Sequence, residues 1–268
     1  LSGDDSHYVE DWRGRYHGKA LCVVRPRSTP EVSAVVRLCY EAGVPIVPQG
    51  GNTGLCGAAT PSPDGRAVVL SLELMNRIRS ISTIDAAICV DAGCILARVQ
   101  EVAEKEEMLF PLSLGAEGTC QIGGNIATNA GGTSVLKFGA TRDLGLGLEV
   151  VLPDGSICDW LAPLRKNTTG YDLRQLFVGS EGTLGIITAA TLKIFPRPRQ
   201  TVTAMMALST PEAALDVFAR VRRTLGERLY CFEIMNAAQM KLVLRHAMNV
   251  HLPFQEHTPW YLLLELAD

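Results

Sequence analysis

Gly118-Thr119-Cys120-Gln121-Ile122-Gly123-Gly124-Asn125-Ile126-Ala127-Thr128-Asn129-Ala130-Gly131-Gly132 is a stretch too small and too amide-rich to build a core. Glycine holds five of these fifteen positions, so the main chain can approach a ligand closely and turn successive N–H groups toward it, as anion-binding loops do. A second loop of the same kind, Pro48-Gln49-Gly50-Gly51-Asn52-Thr53-Gly54-Leu55-Cys56-Gly57, follows the apolar run Val44-Pro45-Ile46-Val47. One glycine-rich stretch alone reads equally well as a flexible turn or a tight packing site. Two of them point to a single large, phosphate-bearing ligand.

The spacing of Gly51, Gly54 and Gly57 is not the G-x-G-x-x-G of a dinucleotide-binding βαβ unit, and no helix-period run opens directly after it. Neither loop carries the G-x-x-x-x-G-K-[ST] pattern, so an ATPase or GTPase has no support. With 268 residues, 47% of them hydrophobic, the chain can bury a substantial core, and two domains are expected. The net charge of −3 and the absence of a Lys/Arg run argue against nucleic acid and anionic membrane surfaces as partners. Eight cysteines are scattered without a C-x-x-C pair and are expected to be reduced and mostly buried, with Cys56 and Cys120 as small neutral fillers of the two loops. No uncharged apolar stretch approaches membrane-spanning length, so no transmembrane segment and a soluble, intracellular protein are expected. The chain starts at Leu1, which leads us to expect native sequence before it.

Local signals alternate between strand and helix. Thr29 as N-cap, Pro30 at the first helical position and Glu31 behind it open a helix whose face is Val32, Val35, Val36 and Cys39 and which Gly43 stops. Strands are expected at 44–47, 68–72 and 88–92, a helix with Val99, Val102 and Ala103 inward at 95–108, and a hairpin turning on Pro153-Asp154-Gly155. A long strand covers 186–195, after which Pro196-Arg197-Pro198-Arg199 interrupts any ladder and marks a domain boundary. Beyond it the pattern predicts strand 203–208, helix 211–225, strand 229–235, helix 236–246 and strand 261–267. That last strand is strongly apolar and has no cap after it, so the second domain reads as unfinished.

These motifs, together with Val24-Arg25-Pro26-Arg27-Ser28-Thr29-Pro30-Glu31-Val32, Gly147-Leu148-Glu149-Val150-Val151-Leu152-Pro153-Asp154-Gly155, Lys166-Asn167-Thr168-Thr169-Gly170-Tyr171-Asp172 and Val178-Gly179-Ser180-Glu181-Gly182-Thr183-Leu184-Gly185-Ile186-Ile187, carry a resemblance. The chain resembles the FAD-linked oxidases of the vanillyl-alcohol oxidase or p-cresol methylhydroxylase (PCMH) superfamily. Within it the chain is most similar to the D-lactate and D-2-hydroxyglutarate dehydrogenase branch, which includes the glycolate oxidase flavin subunit. The resemblance implies an α+β fold: a two-subdomain PCMH-type FAD-binding domain over 1–198, then the start of an α+β, ferredoxin-like substrate or cap domain over 199–268. By motif, Pro48, Gly50, Gly51, Asn52, Thr53 and Gly54 would hold the FAD diphosphate through main-chain amides and the Asn and Thr side chains. Gly118, Thr119, Cys120, Gly123, Gly124, Asn125, Thr128, Asn129 and Gly131 would line the ribityl and ring side, and Glu181, Gly182, Ile186 and Ile187 the adenine half.

Arg142 is expected to pair with Asp143 or another acid, and Lys166 to be a solvated surface charge. The first loop has no histidine for covalent attachment, so a dissociable, non-covalent FAD is expected. The resemblance implies hydride transfer from a D-2-hydroxy acid (D-2-hydroxyglutarate, D-lactate or glycolate) to the flavin, with an electron-acceptor protein or quinone as partner. It also implies a cytoplasmic location, or a mitochondrial one in a eukaryote, and a divalent metal only in the full-length protein. His246, His251 and His257 lack ligand spacing, and no catalytic base is assigned. Two other readings stay open: a flavin-binding subunit or fragment without chemistry of its own, and a reductase of the same flavin fold using a nicotinamide donor.

Overall fold

The computed structural model describes residues 6–255 and 257–268. In chain order the elements are α1 (Ser6–Val9), β1 (Ala20–Val24), α2 (Thr29–Ala42), β2 (Ile46–Gln49), β3 (Ala67–Ser71), β4 (Ile78–Ser82), β5 (Ala87–Asp91), α3 (Leu96–Lys105), β6 (Met108–Leu109), α4 (Ile122–Ala127), α5 (Val135–Phe138) and α6 (Thr141–Leu144). There follow β7 (Gly145–Val151), β8 (Ile157–Asp159), β9 (Ile186–Lys193), β10 (Phe195–Pro196), β11 (Thr201–Leu208), α7 (Pro211–Leu225), β12 (Leu229–Asn236), α8 (Ala237–His246) and β13 (Trp260–Ala267), with 3-10 turns at Leu173–Leu176 and Gly226–Arg228. Two compact units result: one comprises the residues up to Ala130 and Ala140–Pro196, the other Gly131–Gly139 and Arg197–Asp268.

The first unit is built on two sheets. β1, β3 and β2 form a parallel sheet with β3 buried along its whole length in the centre, as a βαβ unit through α2 requires. A five-stranded antiparallel sheet runs in the order β4-β5-β9-β7-β8. The cap of α2 corrects the sequence reading: Ser28, not Thr29, is the N-cap and accepts from Glu31 N at 3.4 Å. Thr29 enters the helix instead, because its hydroxyl is needed by the buried Glu149 of β7, to which it donates at 2.6 Å. Strand β2 likewise starts two residues later than expected, since Val44 N closes the end of α2 on Cys39 O at 2.8 Å, beside Gly43 with φ 65°. α3 stops at Lys105 because Glu107 takes φ 57° and Met108 begins β6.

A charged network ties these layers together. Asp91, fully buried at the end of β5, accepts from Arg77 Nε at 3.0 Å and Arg79 Nε at 2.6 Å. Arg79 also reaches Glu149 at 2.9 Å, and Thr188 Oγ1 of β9 donates to the same carboxylate at 2.8 Å. Burial alone would raise the Glu149 pKa; hydrogen bonds from Arg79, Thr29 and Thr188, with the guanidinium charge, outweigh it and hold the carboxyl below its ordinary value.

The second unit is a split βαβ arrangement: β11 and β12 both run antiparallel to β13, which lies between them. The terminal strand that the sequence leaves uncovered is therefore the central one, with Tyr261 and Leu262 fully buried. α5 packs on β12, where Phe138 meets Tyr230 edge-on at 5.6 Å, and Lys137 Nζ donates to Ala267 O at 3.0 Å. Helix α7 starts on the Thr210 cap and turns Ala214 inward. The second unit has no counterpart in the sequence reading for its 131–139 segment.

Replacing Glu149 by Gln removes the charge and an acceptor from the network, and is expected to cost about 1–3 kcal/mol, seen as a fall of roughly 3–8 °C in Tm. Because the folded carboxyl titrates below its unfolded value, its stabilisation is complete above an ordinary glutamate pKa of about 4.3 and disappears as pH falls through the folded pKa. The gap between the two proteins in thermal melts is expected to be widest at neutral pH and to narrow on acidification.

Candidate functional site

Three loops of the first unit meet where glycine leaves no side chain in the way. A methyl group on Gly51 would overlap the carbonyl oxygen of Thr119, so the two glycine-rich loops touch backbone to backbone. A Cβ on Gly50 would stand 3.4 Å from Gln121 Oε1, and one on Gly182 only 2.6 Å from Pro48 Cγ. Gly182 also has φ 79°, so two independent reasons fix that residue as glycine. α4 sits on the end of β5: Gly123 N donates to Ala92 O at 2.7 Å, and a Cβ there would lie 2.7 Å from Ala92 Cβ. The third loop hangs from the same helix through Gly179 N to Ile126 O at 3.1 Å and Glu181 N to Ala127 O at 2.9 Å.

A second set of glycines has no such packing reason. Gly54, Gly118 and Gly124 lie outside the left-handed region, and a Cβ on any of them would meet nothing within 4 Å. Gly115, outside both glycine-rich stretches, is the same. The amides of Gly50, Gly51, Asn52, Thr53 and Gly54 donate to no acceptor among the described residues. Two buried side-chain atoms are likewise unmatched, Gln121 Oε1 and Asn125 Nδ2, on residues 8% and 5% exposed; the Asn125 amide reaches the Cys120 thiol, a weak acceptor. A row of free amides, open glycines and orphaned buried amide groups is the surface expected of a site for an extended polar guest. Asn52 (φ 51°), Asn129 (φ 47°) and Glu181 (φ 51°) adopt left-handed backbone in these same loops, a strain that accumulates at ligand clamps.

The first loop is buttressed from a direction the sequence did not disclose. Asn52 Nδ2 donates to His7 O at 3.1 Å and Glu10 O at 2.8 Å, Arg13 Nη2 bonds Leu55 O, and the Tyr16 ring covers Gly57. Asp11 holds that segment in shape by accepting from the amides of Tyr16, Arg15 and Arg13, which keep its carboxyl below the ordinary range. The Asn52 side-chain nitrogen is thus committed to the buttress, and the main-chain amide stays free.

The other sequence-derived residues divide as follows. Thr119 is exposed at the loop contact, and its hydroxyl turns back to Ala116 O at 3.3 Å. Thr128 Oγ1 bonds Gly124 O at 2.9 Å, and Asn129 Oδ1 receives Arg142 N at 2.9 Å, so both side chains brace the second loop. Ile186 and Ile187 are buried and pair with β7 alone, before β5 joins at Ala189. Gly131 belongs to the second unit. Arg142 corrects an expectation: among the described residues it meets no acid, donating to Gln175 O at 3.0 Å, Gln175 Oε1 at 2.6 Å and Val178 O at 2.6 Å, because Asp143 is turned to Ala140 N. Cys56 corrects another, being exposed on its loop tip, as is Cys22 on β1; Cys120 is buried at 3% exposure, and burial raises its pKa. Lys166, His246, His251 and His257 are exposed, and among the described residues no group of three or more His, Cys, Asp or Glu could hold a metal.

The family profile described as FAD binding domain matches residues 20–160, more than half of the chain and the region that supplies the first two loops. The chain belongs to the FAD-binding domain family. A second profile, the C-terminal domain of FAD linked oxidases, matches residues 197–268. The chain is 44% identical over 257 residues to the mitochondrial D-2-hydroxyglutarate dehydrogenase of Bos taurus, covering 96% of this chain and 46% of that protein. It is 34% identical over 260 residues to the D-2-hydroxyglutarate–pyruvate transhydrogenase of Saccharomyces cerevisiae, covering 97% and 52%. The chain thus spans about half the length of the curated relatives it matches. A solved alkyldihydroxyacetonephosphate synthase superposes with a TM-score of 0.77 over 91% of this chain and 46% of that one, at 20% identity, a likeness of fold. The free amides suit a diphosphate, and the open glycines leave room along the second loop, so the residues present fit FAD.

Gly51→Ala is expected to cost about 1–3 kcal/mol or more, as overpacking against backbone does, whereas Gly54→Ala is expected to stay within about 0.5–1 kcal/mol of wild type or to stabilise slightly. Urea unfolding of the two variants checks the contrast.

Proposed function

We propose that the first unit binds FAD non-covalently and that the whole protein oxidises a D-2-hydroxy acid, D-2-hydroxyglutarate before D-lactate or glycolate. The observation that carries the cofactor reading is the row of amides from Gly50 to Gly54 that have no acceptor among the described residues, on a loop whose Gly51 lies against Thr119 of the second loop, together with the open positions at Gly54, Gly118 and Gly124. In this reading the amides of Gly50, Gly51, Asn52, Thr53 and Gly54 share the diphosphate charge, with Pro48 fixed by Gly182 behind them. Gly118, Thr119, Gly123, Gly124 and Asn125 line the ring side, where Asn125 Nδ2 and Gln121 Oε1 offer a donor and an acceptor. Glu181, Gly182, Ile186 and Ile187 border the adenine end.

When bound, FAD supplies a hydride acceptor for the carbon that bears the hydroxyl group. What this chain adds is position and exclusion of water. Cys120 is kept a neutral thiol by burial, which disfavours a thioether link and supports a dissociable cofactor. The names of the mammalian and yeast relatives support D-2-hydroxyglutarate as the substrate, and the mammalian name supports a mitochondrial location in a eukaryote. Electrons would pass on to an acceptor protein or quinone. A divalent metal belongs to this reading only in the full-length protein, since among the described residues no group of three or more His, Cys, Asp or Glu could hold one. Among the described residues no helix is long and apolar enough to cross a membrane.

Gly54→Val and Gly118→Val are expected to weaken FAD binding at least tenfold, about 1.4 kcal/mol, with Tm unchanged without FAD; unaltered affinity in both would remove the cradle assignment. Acid precipitation of the loaded protein is expected to leave the yellow colour in the supernatant. Anaerobic addition of D-2-hydroxyglutarate to the full-length protein is expected to bleach the flavin band, and a spectrum that stays oxidised with all three acids would overturn the activity.

A further inference from the structure

A cavity of about 310 Å³ opens in the first unit, lined by the beginning of β7, the end of β9 and side chains of 164–175. Its walls carry Arg142, Arg165, Arg174 and Lys193, with Asp143 as the one lining carboxylate. Three of these cations meet neutral oxygens: Arg142 donates to Gln175 and to Val178 O, Arg165 Nη2 to Ala86 O at 3.3 Å, and Lys193 Nζ to the Asp143 carbonyl. Among the described residues Arg174 is the cation with a carboxylate partner, gripping Asp172 through bonds of 2.6 and 2.8 Å. The Asp143 carboxylate is occupied by Ala140 N at 3.0 Å.

Carbonyl oxygens satisfy donors but cancel no charge. Arg142, half-buried and fixed by its bonds to the 175–178 turn, therefore contributes a pre-oriented, uncompensated charge to a concave wall, where the fields of like charges reinforce one another. Guanidinium groups match the planar geometry of carboxylates. The open depression has about 310 Å³ of space, much more than a single oxyanion needs, and more than one cation on its wall, which favours an anion with two separated charges.

We infer that this cavity binds a small dicarboxylate anion. None of its lining residues belongs to the loops that face the candidate flavin site, so the inference stands apart from the FAD reading. The probes are succinate, acetate and inorganic phosphate, titrated calorimetrically at constant ionic strength into the protein with and without FAD. One succinate is expected per chain in both states, with acetate at least tenfold weaker. Arg165→Gln with Lys193→Gln is expected to weaken succinate at least tenfold at unchanged Tm. Arg165→Gln alone, on an exposed side chain, is expected to weaken it at least threefold and keeps the test available if the double variant does not fold. Absence of succinate binding, equal binding of acetate, insensitivity to these substitutions, or displacement of succinate by FAD would each overturn the site. Phosphate binding tighter than succinate would overturn the dicarboxylate assignment in favour of a phosphoryl group.

Discussion

The backbone of Gly51 lies against the carbonyl of Thr119, and the rest of the candidate site depends on that approach. A side chain at position 51 would push the first loop off the second, separating the free amides of 50–54 from the open face at Gly118 and Gly124. The contact is steric rather than attractive, so it contributes little binding energy of its own. Its effect is to fix two loops that are distant in sequence at a separation only glycine permits. Gly182 does the same for the third loop by lying on Pro48. The site is thus shaped as much by what is missing from these positions as by any polar group.

Holding loops this close requires a rigid frame, and the Asp91–Arg79–Glu149 network supplies it. Arg79 joins β4, β5 and β7, Thr188 brings in β9, and Thr29 brings in α2, so one guanidinium and two carboxylates couple the antiparallel sheet to the helix of the parallel one. Removing Arg79 would leave the buried Glu149 without its counter-ion, at the desolvation cost of that charge, while Asp91 would keep Arg77. α4, which carries the second loop, is seated on Ala92, the residue directly after Asp91. The frame and the ligand loops are therefore mechanically continuous.

The cysteines and Arg142 show why charge and exposure resist reading from sequence. Cys56 and Cys120 occupy similar glycine-rich contexts, yet one is exposed on a loop tip and the other buried beneath its loop. Arg142 has an acid as its next neighbour but pairs with carbonyls 33 and 36 positions away. In each case the partner is set by a chain segment far from the residue, and adjacency in sequence carries no information about it.

The sequence by itself determined the elements whose causes are local: the Pro211 start of α7, the Gly43 stop of α2, the turn at Gly155, the alternation of strands and helices, and the two loops rich enough in glycine to bare their backbone. Each of these depends on residues within a few positions, which is the range over which capping, φ preference and side-chain period act. Only the tertiary structure decided that residues 7–16 clasp the first loop, that 131–139 joins the second unit, that β13 is a central strand, and which amides and side-chain atoms remain unpaired. These are properties of pairing between distant segments, where a donor is free or satisfied according to what the rest of the chain brings to it.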